Sequence, residues 1–139
     1  MNATKTFVDT NVLIYAYDSR SQAKQKVAEK VLDELWSERS GFLSVQVLQE
    51  FYVNVTRKIG KPLTKEAARE IVGLYFPWCG ETSSAEIEAA FRIEIESLIG
   101  FWDALILASA AKAGATRILS EDMNAGQVIA GVRIENPFR

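Results

Sequence analysis

Short apolar runs alternate along this chain with longer segments in which apolar residues recur at the spacing of a helix. Besides a candidate strand near residue 81, the short runs predict strands at residues 6–8, 41–44, 117–119 and 132–135. The periodic segments predict helices at about 10–17, 21–38, 44–59, 64–76, 83–98 and 102–113. Strands separated by helices indicate an α/β sandwich built around a parallel sheet.

Two of the predicted helices also carry a prediction about which residues face the core. A capping box formed by Ser83 and Glu86 should open one of them, and its inward face is predicted to consist of Ile87, Ala90, Phe91, Ile95 and Leu98. The last helix, at about 102–113, is apolar nearly all round and is predicted to be central and buried.

Four acidic residues interrupt or directly follow apolar segments, which predicts partial burial of their charges. They lie at the end of the first strand, within the third helix, in the first turn of the last helix and after the third strand, and are Asp9, Glu50, Asp103 and Asp122. A buried charge is costly unless it is paired or binds a metal ion. Ligands of such folds bind at the carboxyl ends of the strands, so we expect the four acids to converge there.

Each of these acids also has an ordinary structural explanation. Asp9 could simply cap a helix, and Asp103 could be a first-turn acid that complements the helix dipole. Glu50 could lie on the solvent edge of its helix, and Asp122 could be a turn residue. The joint pattern favours a shared site, because one fold would bring all four to one place.

The chemistry that four such acids can share is the binding of a hard divalent cation. The chain has no histidine and one cysteine, which are the residue types that zinc prefers. Oxygen ligands suit Mg²⁺ or Mn²⁺, and carboxylate sites of this kind activate water for the hydrolysis of phosphodiesters.

Bulk composition narrows the class of protein. The 139 residues suit a single domain, 1–139, and the net charge of −2 means that any site for a polyanion must be local. Cys79 cannot form an intrachain disulfide, which fits a reducing compartment. Residues 1–6 are polar, unlike a signal peptide, and no apolar stretch reaches the roughly 18 residues of a membrane helix. We therefore expect a soluble cytoplasmic protein with no membrane partner.

The acids and their neighbours resemble the motifs of PIN-domain ribonucleases, especially the VapC-type toxins of type II toxin–antitoxin pairs. The matching segments, in order, are residues 9–14 (DTNVLI), 47–51 (VLQEF), 101–104 (FWDA), 119–122 (LSED) and the tail 134–138 (IENPF). Each motif alone is weak, but together they span nearly the whole chain in matching order.

The resemblance implies a three-layer α/β/α sandwich with a short central parallel sheet and a Mg²⁺- or Mn²⁺-dependent endoribonuclease. It implies that the metal-binding catalytic acids are Asp9, Glu50, Asp103 and Asp122 and that their hydrogen-bonding supports are Thr10, Asn11 and Ser120. It also implies a homodimer and a cognate antitoxin, which would bind an apolar patch on the early helices. Many family members carry a further acid where this chain has Asn124, and we expect Glu121 to point away from the site.

Contacts to RNA are predicted where basic residues cluster, on the second helix and around the end of the third. These residues are Arg20, Lys24, Lys26, Arg57 and Lys58, although Lys and Arg on amphipathic helices often only solvate a face. Aromatic residues could stack on bases of single-stranded RNA, but core packing is the favoured interpretation for Tyr15, Tyr17 and Trp102.

Two other functions compete with the nuclease. A catalytically silent PIN-like protein would bind RNA or a partner without cutting, and the complete set of acids argues against it. A phosphatase that uses Asp9 as its nucleophile would carry an acid two residues later, where this chain has Asn11.

Overall fold

The computed structural model describes residues 4–139, so residues 1–3 of the polar N-terminal stretch lie outside the described part of the chain. Five strands form one sheet: β1 (Thr6–Val8), β2 (Gly41–Phe42), β3 (Arg117–Leu119), β4 (Val128–Ile129) and β5 (Val132–Glu135). Their spatial order is β2-β1-β3-β5-β4. All neighbouring strands are parallel except β4, which pairs antiparallel with β5.

Helices flank this sheet and complete the three-layer α/β/α architecture that was predicted. They are α1 (Thr10–Tyr15), α2 (Gln22–Glu38), α3 (Val45–Val55), α4 (Lys65–Leu74), α5 (Ser84–Ser97) and α6 (Phe101–Lys112), with a 3₁₀ turn at Phe76–Trp78. Helix α1 packs against α2 and α3, α3 packs against α4, and α5 packs along α6. Within residues 4–139, none of these helices combines the length and apolar character needed to cross a membrane.

Side-chain caps fix the starts of three helices where the sequence predicts them. Ser44 accepts a hydrogen bond from the N–H of Val47 at the start of α3. Thr64 caps α4 in the same way. Ser83 and Glu86 form the predicted capping box at α5, in which the Glu86 carboxylate accepts a 2.6 Å bond from the Ser83 N–H. These caps satisfy N–H groups that have no partner inside the helix.

The core lies on both sides of the sheet, as expected for parallel strands covered by helices. Strand residues in it include Phe7, Val8 and Ile118, which are essentially inaccessible to solvent. Phe51 from α3 and Leu107 from α6 are equally buried. Residues from the strands and from the helices therefore share one hydrophobic core.

Strand β4 was not predicted, and the reason is the turn that follows it. Ala130 and Gly131 both have positive φ, at 52° and 77°, as in the two-residue turn that joins β4 to β5. Alanine is uncommon at such a position, so the sequence lacks the usual turn signal. The strand expected near residue 81 is instead a single bridge between Leu43 and Cys79.

The predicted inward face of α5 is wrong. Among the described residues, α5 buries Glu86, Ala90 and Ile93, whereas the exposed large residues in and directly after it are Ile87, Phe91, Ile95 and Leu98. Small residues allow close packing on α6, and the pairing of Glu86 with Lys112 holds that side of the helix inward. Only Ala90 of the predicted face therefore points to the core.

Helix α6 is buried along its middle but not in its first turn. Ala104, Leu107 and Ala108 are buried, as predicted for a central helix. Trp102, in contrast, is 67% exposed, so the core-packing interpretation of this residue is wrong. Its indole packs edge-on against Phe101 and is otherwise open to solvent on the side of the helix that carries Asp103.

Candidate active site

Asp9 lies at the carboxyl end of β1 and is also the N-cap of α1. It is only 7% exposed. Its Oδ1 accepts a 2.8 Å hydrogen bond from the Thr10 N–H, and its Oδ2 accepts a 2.7 Å bond from the Ser120 hydroxyl. Asp9 therefore caps α1, and its hydrogen bonds orient its carboxylate at the carboxyl end of β1.

Asn11 connects Asp9 to Asp122 across the sheet edge. Its Nδ2 lies 3.2 Å from Asp9 Oδ2, 3.1 Å from Asp122 Oδ2 and 3.3 Å from Ser120 Oγ. Its Oδ1 accepts a 3.0 Å bond from the Glu121 N–H. One amide side chain thereby fixes the end of β1 relative to the loop that follows β3.

Ser120 completes this web from the other strand. Its hydroxyl donates to Asp9 and accepts a 3.2 Å bond from the Asp122 N–H. Asn11 and Ser120 thus make the kind of contacts predicted for supporting residues. Thr10 contributes its backbone N–H, whereas its hydroxyl is buried without a partner in the described structure.

Glu50 and Asp103 approach this web from α3 and α6. Both side chains are largely open to solvent, as is that of Asp122, and Asp9 is the one fully buried member of the four. The apolar neighbours of Glu50 in sequence, Val47 and Phe51, are buried because they lie on the inward side of α3. An apolar run in a helix therefore does not bury every residue within it.

The charges of the four acids act on one another in pairs. The pKa of Asp9 is raised to about 6, chiefly by burial and to a smaller extent by the charges of Asp103 and Glu50, although hydrogen bonds from Ser120 and Thr10 lower it. Partial burial, and to a smaller extent the charge of Asp103, raises the pKa of Glu50. Partial loss of solvent, followed by the charge of Asp122, raises the pKa of Asp103. No described basic side chain contributes to these shifts.

Sequence reasoning missed Gln46, which lies one helical turn before Glu50. Its Nε2 donates a 3.4 Å hydrogen bond to the Trp102 carbonyl, which links α3 to α6 beside the acids. Its side chain also lowers the pKa of Glu50, although less than the loss of solvent raises it. The spacing of four residues in a helix was the available signal, because such residues share a face.

All four candidate acids offer carboxylate oxygens, which suit a hard divalent cation such as Mg²⁺ or Mn²⁺. Within residues 4–139, no three His, Cys, Asp or Glu side chains form a group that could by itself hold a metal ion. Mg²⁺ commonly uses one or two carboxylates together with waters and substrate phosphates, so it does not require a closed cage of protein ligands. Like charges also repel one another when no cation lies between them.

The Glu121 and Asn124 side chains make their contacts outside the web around Asp9. Glu121 accepts a 2.6 Å hydrogen bond from the Tyr15 hydroxyl and forms a 2.6 Å ion pair with Lys24. Asn124 is exposed, and its side chain donates to Gln127.

The basic residues predicted to contact RNA fall into two groups. Arg20 pairs with the buried Asp18 at 2.7 Å, and Lys24 pairs with Glu121. The others are exposed and are Lys26, Arg57 and Lys58. Paired cations are already partly neutralised, so the second group has the charge more readily available for phosphate.

A short, mostly parallel sheet flanked by helices defines an α/β sandwich, with Asp9 at the carboxyl end of its first strand. Residues 6–129 match the PIN domain, and the chain belongs to this family. Comparison with curated protein sequences gave no significant match.

Solved structures share this fold at low sequence identity. FitAcB from Neisseria gonorrhoeae is 18% identical with a TM-score of 0.72, and the match covers 96% of this chain and 98% of that one. VapBC2 from Rickettsia felis, bound to a promoter DNA fragment, is 18% identical with a TM-score of 0.67 and coverages of 94% and 97%. VapC20 from Mycobacterium tuberculosis, described as a sarcin-ricin loop cleaving toxin, is 17% identical with a TM-score of 0.60 and coverages of 81% and 86%.

Proposed function

We propose that this protein is a metal-dependent endoribonuclease that hydrolyses RNA phosphodiester bonds as the toxin of a toxin–antitoxin pair. The observation that carries the proposal is the web that joins Asp9 to Asp122 through Asn11 and Ser120. Membership of the PIN domain family supports it. Similar solved structures include a toxin–antitoxin complex from Klebsiella pneumoniae and a sarcin-ricin loop cleaving toxin, and they support the biological role.

The four acids would together bind the metal ion at this edge of the sheet. Asp9, Asp103, Glu50 and Asp122 would hold Mg²⁺ or Mn²⁺, which when bound supplies an activated water and offsets charge on the phosphate. Asp9 is the fixed point, because three hydrogen bonds orient its carboxylate before any cation arrives. Asp103 and Glu50 stand on solvent-exposed helix faces, where RNA can reach them.

An antitoxin is proposed to bind the groove between α2 and α4. This cavity of about 610 Å³ is lined by Tyr17, Leu32, Trp36, Leu74 and Tyr75 and edged by Glu29 and Asp33. Leu74 is largely exposed beside it. The combination fits a segment that presents apolar side chains flanked by Lys or Arg.

A homodimer is proposed to form through the exposed apolar face of α5. Ile87, Phe91 and Ile95 recur every four residues and form one stripe, and Leu98 and Trp102 extend it. Monomers rarely expose contiguous apolar patches of this kind unless the patch binds something. Phe91→Glu should therefore shift the protein from dimer to monomer in sedimentation experiments, and an unchanged dimer would exclude this face.

The nuclease is tested with purified, antitoxin-free protein and total RNA. Wild-type protein should cut RNA in Mn²⁺ and stop when a chelator is added. Asp103→Asn should lose cleavage while keeping its fold, and Glu88→Gln is the matched control because Glu88 is an exposed acid of α5. Cleavage by Asp103→Asn at the wild-type rate would show that the site is wrongly assigned.

The alternative is a catalytically silent PIN-like protein. The loose spacing and exposure of three of the acids favour it. It becomes the better account if the purified protein binds RNA but cuts none in Mn²⁺. The phosphatase gains no support, because Asn11 holds the position where that chemistry needs an acid and is fully engaged in hydrogen bonds.

A further inference from the structure

Glu121 stands between two residues of the site web, yet its carboxylate turns to the opposite side. Its Oε1 accepts a 2.6 Å hydrogen bond from the Tyr15 hydroxyl at the end of α1. Its Oε2 lies 2.6 Å from Lys24 Nζ on α2. The side chain therefore connects the loop after β3 to two helices.

Lys24 is held in this position by more than one contact. Its Nζ lies 3.3 Å from the Tyr15 hydroxyl, 4.8 Å from the centre of the Tyr15 ring and 5.9 Å from that of Phe138. Tyr15 and Phe138 pack edge to face at 5.0 Å. The ammonium group thus sits against two aromatic rings, which attract a cation.

The same residue connects to the acids through its backbone. The Glu121 N–H donates to Asn11 Oδ1, and this bond sets which end of the Asn11 amide faces the acids. With its oxygen occupied, Asn11 presents Nδ2 to Asp9 and Asp122. A shift of the loop at Glu121 would move both this amide and the adjacent Asp122.

We propose that Glu121, clamped by Lys24 and Tyr15, is a positioning residue for Asp122 and Asn11 and is not itself a metal ligand. This inference rests on the proposed metal-binding function. It also assigns Lys24 a role other than contact with RNA, since its charge is engaged by Glu121.

The clamp should affect the positions of Asp122 and Asn11 more than it affects the free energy of unfolding. The Lys24 and Glu121 side chains are 38% and 24% exposed, and ion pairs with that access to water contribute little to folding. Residues that orient metal ligands, in contrast, typically change metal affinity by 10- to 100-fold when they are removed.

The test measures Mn²⁺ affinity by calorimetry on the full chain without RNA. Lys24→Met and Tyr15→Phe should each weaken Mn²⁺ binding, by on the order of 10-fold for Lys24→Met. Lys24→Arg should restore most of the affinity, because it can still pair with Glu121. Lys30→Met is the matched control, since Lys30 is an exposed lysine of the same helix.

A double variant separates the clamp from a ligand role. If Glu121 acts through Lys24, then Glu121→Gln combined with Lys24→Met should be little worse than either change alone. If Glu121 were a ligand, Glu121→Gln would weaken binding while Lys24→Met left it unchanged or tightened it, and the proposal would be overturned.

Two other outcomes are equally decisive. Failure of wild-type protein to bind Mn²⁺ would remove the proposed function and this inference together. Binding by wild-type protein that is lost in Asp103→Asn but unchanged in Lys24→Met would leave the function standing and refute the clamp alone. The melting temperature of each variant shows whether a lost affinity reflects a lost fold.

Discussion

Glu86 and Asp9 are two of the buried acids within residues 4–139, and their surroundings have opposite effects on their charges. Glu86, 2% exposed between α5 and α6, pairs with Lys112 at 2.6 Å and accepts two bonds from Ser83. The pairing with Lys112 and the bonds from Ser83 lower the pKa of Glu86 to about 2. Within residues 4–139, no cationic side chain contributes to the pKa of Asp9, and burial together with nearby acids raises this pKa to about 6.

This difference in pKa indicates different roles: Glu86 stabilises the fold, whereas Asp9 is suited to binding a cation. Glu86 has its countercharge within the chain, so its charge is satisfied when folding is complete. Asp9 is oriented by neutral donors only, and the other charges near it are negative. Strongly perturbed acids of this kind concentrate at functional sites.

The largest expected effect is the difference in RNA cleavage between removing an acid of the candidate site, Asp103, and removing the paired acid Glu86. Asp103→Asn should lower RNA cleavage by more than about 100-fold, beyond the usual effect of residues that only orient ligands. Glu86→Gln should keep cleavage wherever the protein remains folded. Asp122→Asn should reduce the rate less than Asp103→Asn does. Single-turnover rates in Mn²⁺ measure all three, and equal losses in Glu86→Gln and Asp103→Asn would erase the distinction.

The second effect concerns stability at the paired acid. Lys112→Met leaves Glu86 buried without its cation and should lower the free energy of unfolding by about 3 kcal/mol, near the low end for such pairs because Lys112 is half exposed. Urea denaturation at pH 7 measures the loss. Lys30→Met should change stability by less than about 0.5 kcal/mol, and an equal effect of both changes would contradict the assigned role of the pair.

The pH dependence of stability should also report on Glu86. Its pKa in the folded state lies below the unfolded value of 4.5, so its contribution is present above pH 4.5 and is lost as pH falls towards 2. Between pH 5 and pH 3, wild-type protein should lose about 2 kcal/mol more than Glu86→Gln. Parallel stability curves for the two proteins would show that the pairing contributes nothing.

The smallest effect has the opposite sign. The pKa of Asp9 is raised in the folded state, so its charge destabilises the metal-free protein above about pH 6 and does so no longer below pH 3.8. Asp9→Asn should therefore raise the free energy of unfolding at pH 7, by about 1 kcal/mol after the loss of charged hydrogen bonds. Thermal melting with a chelator present measures it, and a lower melting temperature would mean that hydrogen bonding dominates at Asp9.

Local signals predicted most of this fold. The strand that ends at Asp9, the cap at Ser44 and the capping box at Ser83 depend on neighbours within a few residues. Strand β4 escaped prediction because Ala130 adopts a positive φ that alanine rarely shows. The inward face of α5 was wrongly predicted for a different reason. An apolar residue such as Phe91 gives the same sequence signal whether it packs in the core of its own chain or against another chain.

The sequence supplied candidate site residues but not the hydrogen bonds that connect them. Apolar neighbours drew attention to Asp9 and Asp103, and the order of the elements placed them at one edge. The Asn11 amide reaches residues more than a hundred positions away, and no local pattern encodes such a contact. The engagement of Glu121 by Lys24 depends in the same way on how α2 lies against the loop after β3.

Proton release on binding of Mn²⁺ tests most directly whether the Asp9 carboxylate binds the cation. Calorimetric titrations at pH 6, in two buffers with different ionisation enthalpies, count the protons released. Because Asp9 is about half protonated there, binding should release on the order of half a proton from it in wild-type protein and none from Asn in Asp9→Asn. Equal proton release and equal affinity in the two proteins, or no binding of Mn²⁺ by wild-type protein, would contradict the account.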